Sequence, residues 1–231
     1  MKERPILMNG PMVRATLDGS KTQTRRLVKP QPDHFHRDII GKQEPYDQAD
    51  WDRLIPQFGE KEISCPYGQP GNWLWVRETW GVISNSWDES GELCDWLPNR
   101  PATAIHEMRF GRGYYDGHVI YAADGPNEWA GDDDGGGEPR SAWHPSIHMP
   151  RIASRITLEI LSVRVERLND ISEADALAEG ALTWAQEQET QIKDTSDARQ
   201  AFMALWGSIN GPGSWDSNPW LWAVEFKRVT P

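Results

Sequence analysis

The last strand-like segment constrains the chain most. Trp220, Trp222, Val224 and Phe226 alternate with Leu221, Ala223, Glu225 and Lys227 over Trp220–Val229. That period of two describes a terminal strand with one buried face, so the fold must supply a sheet and something to cover it. Two further strands are expected. Trp73-Leu74-Trp75-Val76-Arg77-Glu78-Thr79-Trp80 follows the turn signal Pro70-Gly71,. In Arg155–Leu168, Ile156, Leu158 and Ile160 share one parity while Leu161, Val163 and Val165 share the other. A parity switch within one strand predicts a β-bulge.

Helices come between. Asn9-Gly10-Pro11 opens a short one, with Met12, Val13, Thr16 and Leu17 on one face and Gly19 as its stop,. Ser172-Glu173-Ala174-Asp175 reads as an N-cap with an acid three residues on, and Gly180 as a C-terminal stop,. Another helix starts near Ser196, where Ala198, Ala201, Phe202, Leu205 and Trp206 form an apolar stripe,. Residues 30–70 read as loop or insertion, and the stretch to about residue 150 as irregular apart from a strand at His118–Ala123,. The fold class is therefore α+β, or a barrel decorated with short helices and long loop insertions.

Charge narrows the partners. The net charge of the 231 residues is −11, yet residues 1–30 hold seven Lys or Arg against two acids. An acidic body argues against coating a duplex; a basic N-terminal patch suits a small anionic or nucleotide-like ligand. Cys65 and Cys94 have no metal spacing and are expected to be reduced thiols,. Asp132-Asp133-Asp134 lacks the alternating ligands of a calcium loop, and His144 and His148 sit among prolines, so no metal or other cofactor is expected,. No apolar run has membrane-spanning length, and the chain is expected to be soluble and cytoplasmic,. The 13 Trp, against 5 Phe and 5 Tyr, are core material or a face on which bases stack,.

Gly19-Ser20-Lys21-Thr22-Gln23-Thr24-Arg25-Arg26 resembles the G-x-K-x-x-T-x-R signature of the ASCH family, with Gly19, Lys21, Thr24 and Arg26 in step. Pro70–Val76 is similar to that family's Gly-Asp-x-Leu-x-Val strand, with Asn72 in place of the Asp. The segments 155–168, 171–180 and 220–228 resemble its late strand, acid-bearing helix and closing strand. Cys65–Gly71, Trp143–Arg151 and Asn218-Pro219-Trp220 carry a likeness to tailed-phage and prophage proteins with this domain. The resemblance implies one PUA-like β-barrel domain over residues 1–231, with insertions at about 30–65 and 84–145, in a host-cell cytoplasm.

Catalytic relatives in that family hydrolyse the acetyl amide of N4-acetylcytidine with a Lys, a Thr and a Glu. By position these fall on Lys21, Thr24 and Glu179, with Glu173 and Asp175 one turn away as alternatives to the last. A threonine hydroxyl attacks an amide only once its proton is removed. Lys21 serves if neutral; Arg25 and Arg26 favour that form, and a close Glu179 opposes it. Arg25, Arg26, Trp75, Glu78, Arg151 and Arg155 are the candidate substrate-binding residues. The partner implied is a modified nucleoside, or single-stranded RNA in a non-catalytic reader; a phage assembly protein is the third class. In an arbitrary protein, Lys-Thr-Gln-Thr-Arg-Arg after a helix is a solvated turn with capping hydroxyls.

Overall fold

The computed structural model describes residues 2–31, 64–127, 129 and 142–229, and the expected insertion at 30–65 and the acidic run Gly131–Gly137 fall almost wholly or wholly outside them. Five strands join in one mixed sheet: β1 (Glu3–Leu7), β2 (Gln23–Leu27), β3 (Trp73–Arg77), β9 (Thr157–Arg167) and β10 (Trp220–Val229). Their order is β1-β3-β9-β10-β2. β1 runs parallel to β3, and the other neighbours are antiparallel. The architecture is α+β. Among the described residues β1 and β2 are the sheet's two edges and do not pair, so backbone hydrogen bonding does not close a barrel. A side chain spans the seam instead: Arg26 Nη2 on β2 donates to the Leu7 carbonyl at the end of β1, at 2.6 Å.

The expected bulge falls at Leu161. On β10, Glu225 faces Ser162 while the next residue, Phe226, faces Ile160. Leu161 is left without an opposite number and turns outward, 43% exposed,. The bulge lets Leu158 and Ile160 enter the core on one side of it and Val165 on the other.

Helix α1 (Gly10–Asp18) links β1 to β2. The Asn9 side chain accepts from the Met12 amide, and Gly19 ends the helix in the left-handed conformation at φ 86°. Replacing Asn9 by alanine removes a cap bond and is expected to lower stability by about 1 kcal/mol, read as an earlier midpoint in urea. The other helices are α2 (Glu173–Ala178), α3 (Ala181–Gln186) and α4 (Ala198–Asn210). Ser172 caps α2 by accepting from the Asp175 amide, as its sequence implies, and Asp197 caps α4 through the Gln200 amide. Together with the sheet they enclose the larger core, which includes Val13, Leu158, Ala176, Phe202 and Trp222.

The region expected to be irregular up to residue 150 contains more structure than its pattern suggests. The run from Trp73 to Trp80 is not one strand: it breaks at Glu78-Thr79, and Trp80 begins β4 (Trp80–Ile83) in a second sheet. That sheet pairs β4 with β8 (Gly113–Tyr121), and β8 with β7 (Thr103–Phe110). β7 hides its alternation because the register shifts between Ile105 and Met108, where Glu107 takes φ 46°. A small hairpin, β5 (Asn85–Trp87) with β6 (Leu93–Asp95), follows β4. Trp80, Met108, Val119, Tyr121 and Met149 form a second core beneath this sheet. Cys65 is buried, Cys94 is exposed, and both are free thiols.

Candidate active site

The segment entering β2 is pinned between two helices. The Lys21 amide donates to the Ala15 carbonyl of α1 and the Thr22 amide to the Ala178 carbonyl of α2, each at 2.8 Å. Lys21 thereby forms an antiparallel bridge with Glu179. Close approach requires Gly180, which has φ 72°; a Cβ there would lie 2.9 Å from Ala15 Cβ and 3.2 Å from Lys21 Cβ,. This polar segment is no solvated turn: Lys21 is 4% and Glu179 3% exposed.

The buried ammonium of Lys21 has three acceptors, the Gln23 carbonyl at 2.7 Å, the Glu179 carbonyl at 2.9 Å and Glu179 Oε2 at 2.8 Å. The other Glu179 oxygen accepts from Arg25 Nη1 at 3.1 Å, and that nitrogen also reaches Gln23 Oε1 at 2.6 Å. Arg25 Nη2 pairs with Glu166 on β9, and with Asp175 of α2 at 3.5 Å. Arg164 closes the network, reaching Glu166 at 3.0 Å and Asp175 at 2.6 Å. Three cations thus face three carboxylates. Burial pushes the Lys21 ammonium below its ordinary pKa; the Glu179 carboxylate and its hydrogen bond oppose that, and Arg26 and Arg25 add to it,. The Asp175 carboxyl also sits below its usual range: burial raises it, but the Ser172 hydroxyl and the Arg164 and Arg25 charges win.

These groups form part of the wall of a cavity of about 500 Å³, a size ordinary for small-molecule sites. Lys21, Thr24, Arg25, Arg26 and Glu179 all line it. Its apolar wall includes Tyr67, Phe202, Trp206 and Trp222. Phe202 and Trp206 lie one turn apart on α4, their ring centres 6.2 Å apart, and the Arg25 guanidinium sits 5.8 Å from the Phe202 ring. Trp206 Nε1 is buried with no hydrogen-bond partner among the described residues. The alternatives to Glu179 have other work: Glu173 accepts from the Ala198 and Arg199 amides at the start of α4, and Asp175 joins the ion network.

The remaining expected binding residues are not in the cavity lining. Trp75 lies under two guanidinium groups, Arg77 at 4.7 Å and Arg151 at 6.0 Å, and Arg151 is tied to Glu3 at 2.8 Å. Glu78 and Arg155 meet at the joint between the two sheets. Arg155 holds Glu78 through two bonds of 3.0 Å and Asp124 through bonds of 2.7 and 2.9 Å. Its guanidinium lies 3.9 Å from the Tyr121 ring centre. Burial raises the Glu78 carboxyl above its ordinary pKa despite Arg155, and pushes the Tyr121 hydroxyl up to about 12.

Sequence reasoning missed Lys29, Tyr67 and the pocket role of Phe202 and Trp206. The available signal was the apolar stripe of α4, whose i, i+4 pair Phe202 and Trp206 reads as core. Among the described residues no three His, Cys, Asp or Glu side chains group as a metal site, and no helix is long and apolar enough to cross a membrane. Compared with known proteins, the chain matches no protein-family model, no curated protein and no solved structure.

Proposed function

We propose that this cavity is an ASCH-type nucleoside pocket that hydrolyses the acyl amide of an N4-acetylcytidine-like nucleoside. One observation carries the reading: Lys21 and Glu179, 158 residues apart, are locked together in the wall of an aromatic-lined cavity that Thr24 also lines. The open five-stranded sheet, its edges bridged by Arg26, supports a PUA-like pseudobarrel.

In the proposed reaction the base packs among Tyr67, Phe202, Trp206 and Trp222, and Thr24 Oγ attacks the acyl carbon. The hydroxyl proton passes to a neutral Lys21 Nζ. As the C–N bond breaks, that proton moves to the leaving exocyclic nitrogen. Water then cleaves the acyl–threonine ester, which releases the carboxylic acid and regenerates the hydroxyl. Glu179 and the Gln23 carbonyl hold Nζ in place. Arg25, anchored by Glu166 and Asp175, stands beside the developing oxyanion.

The second reading is a pocket that binds a modified base without turnover. It is favoured by the three acceptors around Nζ, which fit an ammonium and leave a neutral amine one contact it has no proton to make,.

Ultraviolet-monitored turnover of N4-acetylcytidine by wild type, Thr24→Ala and Lys21→Ala separates the two. Hydrolysis by wild type and a loss on the order of 10³-fold or more in either variant is the expected result; binding with no turnover at high protein concentration decides for the second reading. The acidic limb of kcat/KM should lie below the ordinary lysine range, since burial favours the neutral amine. Glu179→Gln removes the charge that raises the Lys21 pKa, so it should move that limb to lower pH. A limb that moves upward argues against Lys21 as the base.

A further inference from the structure

We propose that the ligand of this pocket carries a phosphate, seated on Arg26 and Lys29, so that the substrate class is a nucleotide rather than a free nucleoside. The inference rests on the nucleoside reading above and adds an anion site to it. Among the described residues, four cations line the cavity, Lys21, Arg25, Arg26 and Lys29, against one carboxylate, Glu179. The first two are already neutralised: with Arg164 they face Glu179, Glu166 and Asp175.

The surplus falls on Arg26 and Lys29, neither of which forms an ion pair among the described residues. This is unusual placement for a chain of net charge −11. Arg26 is half-buried, and its Nε has no hydrogen-bond partner among the described residues. Its Nη2 is fixed on the Leu7 carbonyl, so the guanidinium plane is held before a ligand arrives. A phosphate oxygen that meets the cavity-lining part of this guanidinium makes a charge-assisted bond,. Lys29 is exposed at the rim, where a mobile ammonium adds charge rather than geometry,. The aromatic wall and the cationic rim together fit a base at one end and a phosphate at the other.

The test is calorimetric binding to full-length Thr24→Ala, which is not expected to turn the ligand over, with N4-acetylcytidine, its 5′-monophosphate and inorganic phosphate. The monophosphate should bind about 10–100-fold tighter than the nucleoside, the worth of about one hydrogen bond to a charged group. Added salt should reduce that advantage. Adding Arg26→Gln or Lys29→Gln should shrink that ratio of monophosphate to nucleoside affinity. Lys29→Gln keeps the test decisive if loss of the Arg26 seam contact unfolds the chain.

Equal affinity for nucleoside and monophosphate overturns the phosphate site and leaves the nucleoside pocket standing. Binding of neither overturns the nucleoside reading itself. Inorganic phosphate binding as tightly as the monophosphate, with no nucleoside binding, overturns the nucleotide assignment in favour of a bare anion site.

Discussion

Replacing Glu179 by alanine should destabilise the protein by about 3–5 kcal/mol, the usual cost of removing one partner from a buried ion pair. The cost arises because Lys21 stays where it is. Its ammonium, 4% exposed, keeps two carbonyl acceptors but loses its counter-charge, and Arg25 Nη1 loses an acceptor in the same step. Denaturant unfolding gives the value directly. The double variant Lys21→Met/Glu179→Leu is the informative companion, because replacing both charges with apolar groups of similar length leaves no unpaired ammonium, and Arg25 Nη1 keeps its Gln23 acceptor,. It should be closer to wild type than Glu179→Ala alone. A loss below about 1 kcal/mol for Glu179→Ala would mean that the pair is far more hydrated than its burial indicates.

Arg155→Ala should be comparably harmful, and pH reveals why. Arg155 is the cation between Glu78, 1% exposed, and Asp124. The Glu78 pKa is raised in the folded protein by burial, with Arg155 pulling it back down. A carboxyl with a raised folded pKa favours folding while protonated, below its unfolded pKa, and loses that contribution as pH rises through the folded value. Without Arg155 the upward shift grows. The destabilisation caused by Arg155→Ala should therefore be largest near neutral pH, about 3–5 kcal/mol, and shrink as pH falls toward the ordinary glutamate range. Equal destabilisation at pH 7.5 and pH 4.5 would locate the effect in lost packing against Tyr121 instead.

What the sequence disclosed depended on whether the cause was local. Caps are local, so Asn9, Gly19, Ser172 and Gly180 mark their helix ends correctly. The bulge is local too: the parity change around Leu161 needs no knowledge of the partner strand. β7 was hidden because its own bulge scrambles the alternation, and the break at Glu78-Thr79 because one apolar run serves two sheets. At the site, the signature around Lys21 pointed to chemistry, but its surroundings come from far along the chain. Glu166 and Arg164 have no motif and look like surface charge on a strand, and Asp175 reads as the acid of a helix cap rather than as an ion-pair partner of Arg25. Phe202 and Trp206 satisfy the same periodicity whether they face a core or a cavity, so only the assembled fold separates those roles. Trp75, Glu78, Arg151 and Arg155 have suitable chemistry for binding, but the fold commits them to ion pairs and ring contacts away from the cavity.

The strand order also sets a timetable. Among the described residues β2 pairs only with β10, and Lys21 meets its carboxylate on a residue 158 positions later. At translation rates of about 5–20 residues per second, that carboxylate emerges roughly 8–30 s after the lysine, and β10 later still. An ammonium does not enter a protein interior without its counter-charge, so the basic N-terminal segment stays solvated on the ribosome while β3 and β4 are being made. The pocket therefore assembles last, after the C-terminal strand is delivered, and a chain truncated before β10 has every proposed catalytic side chain but no strand to hold Thr24 in place.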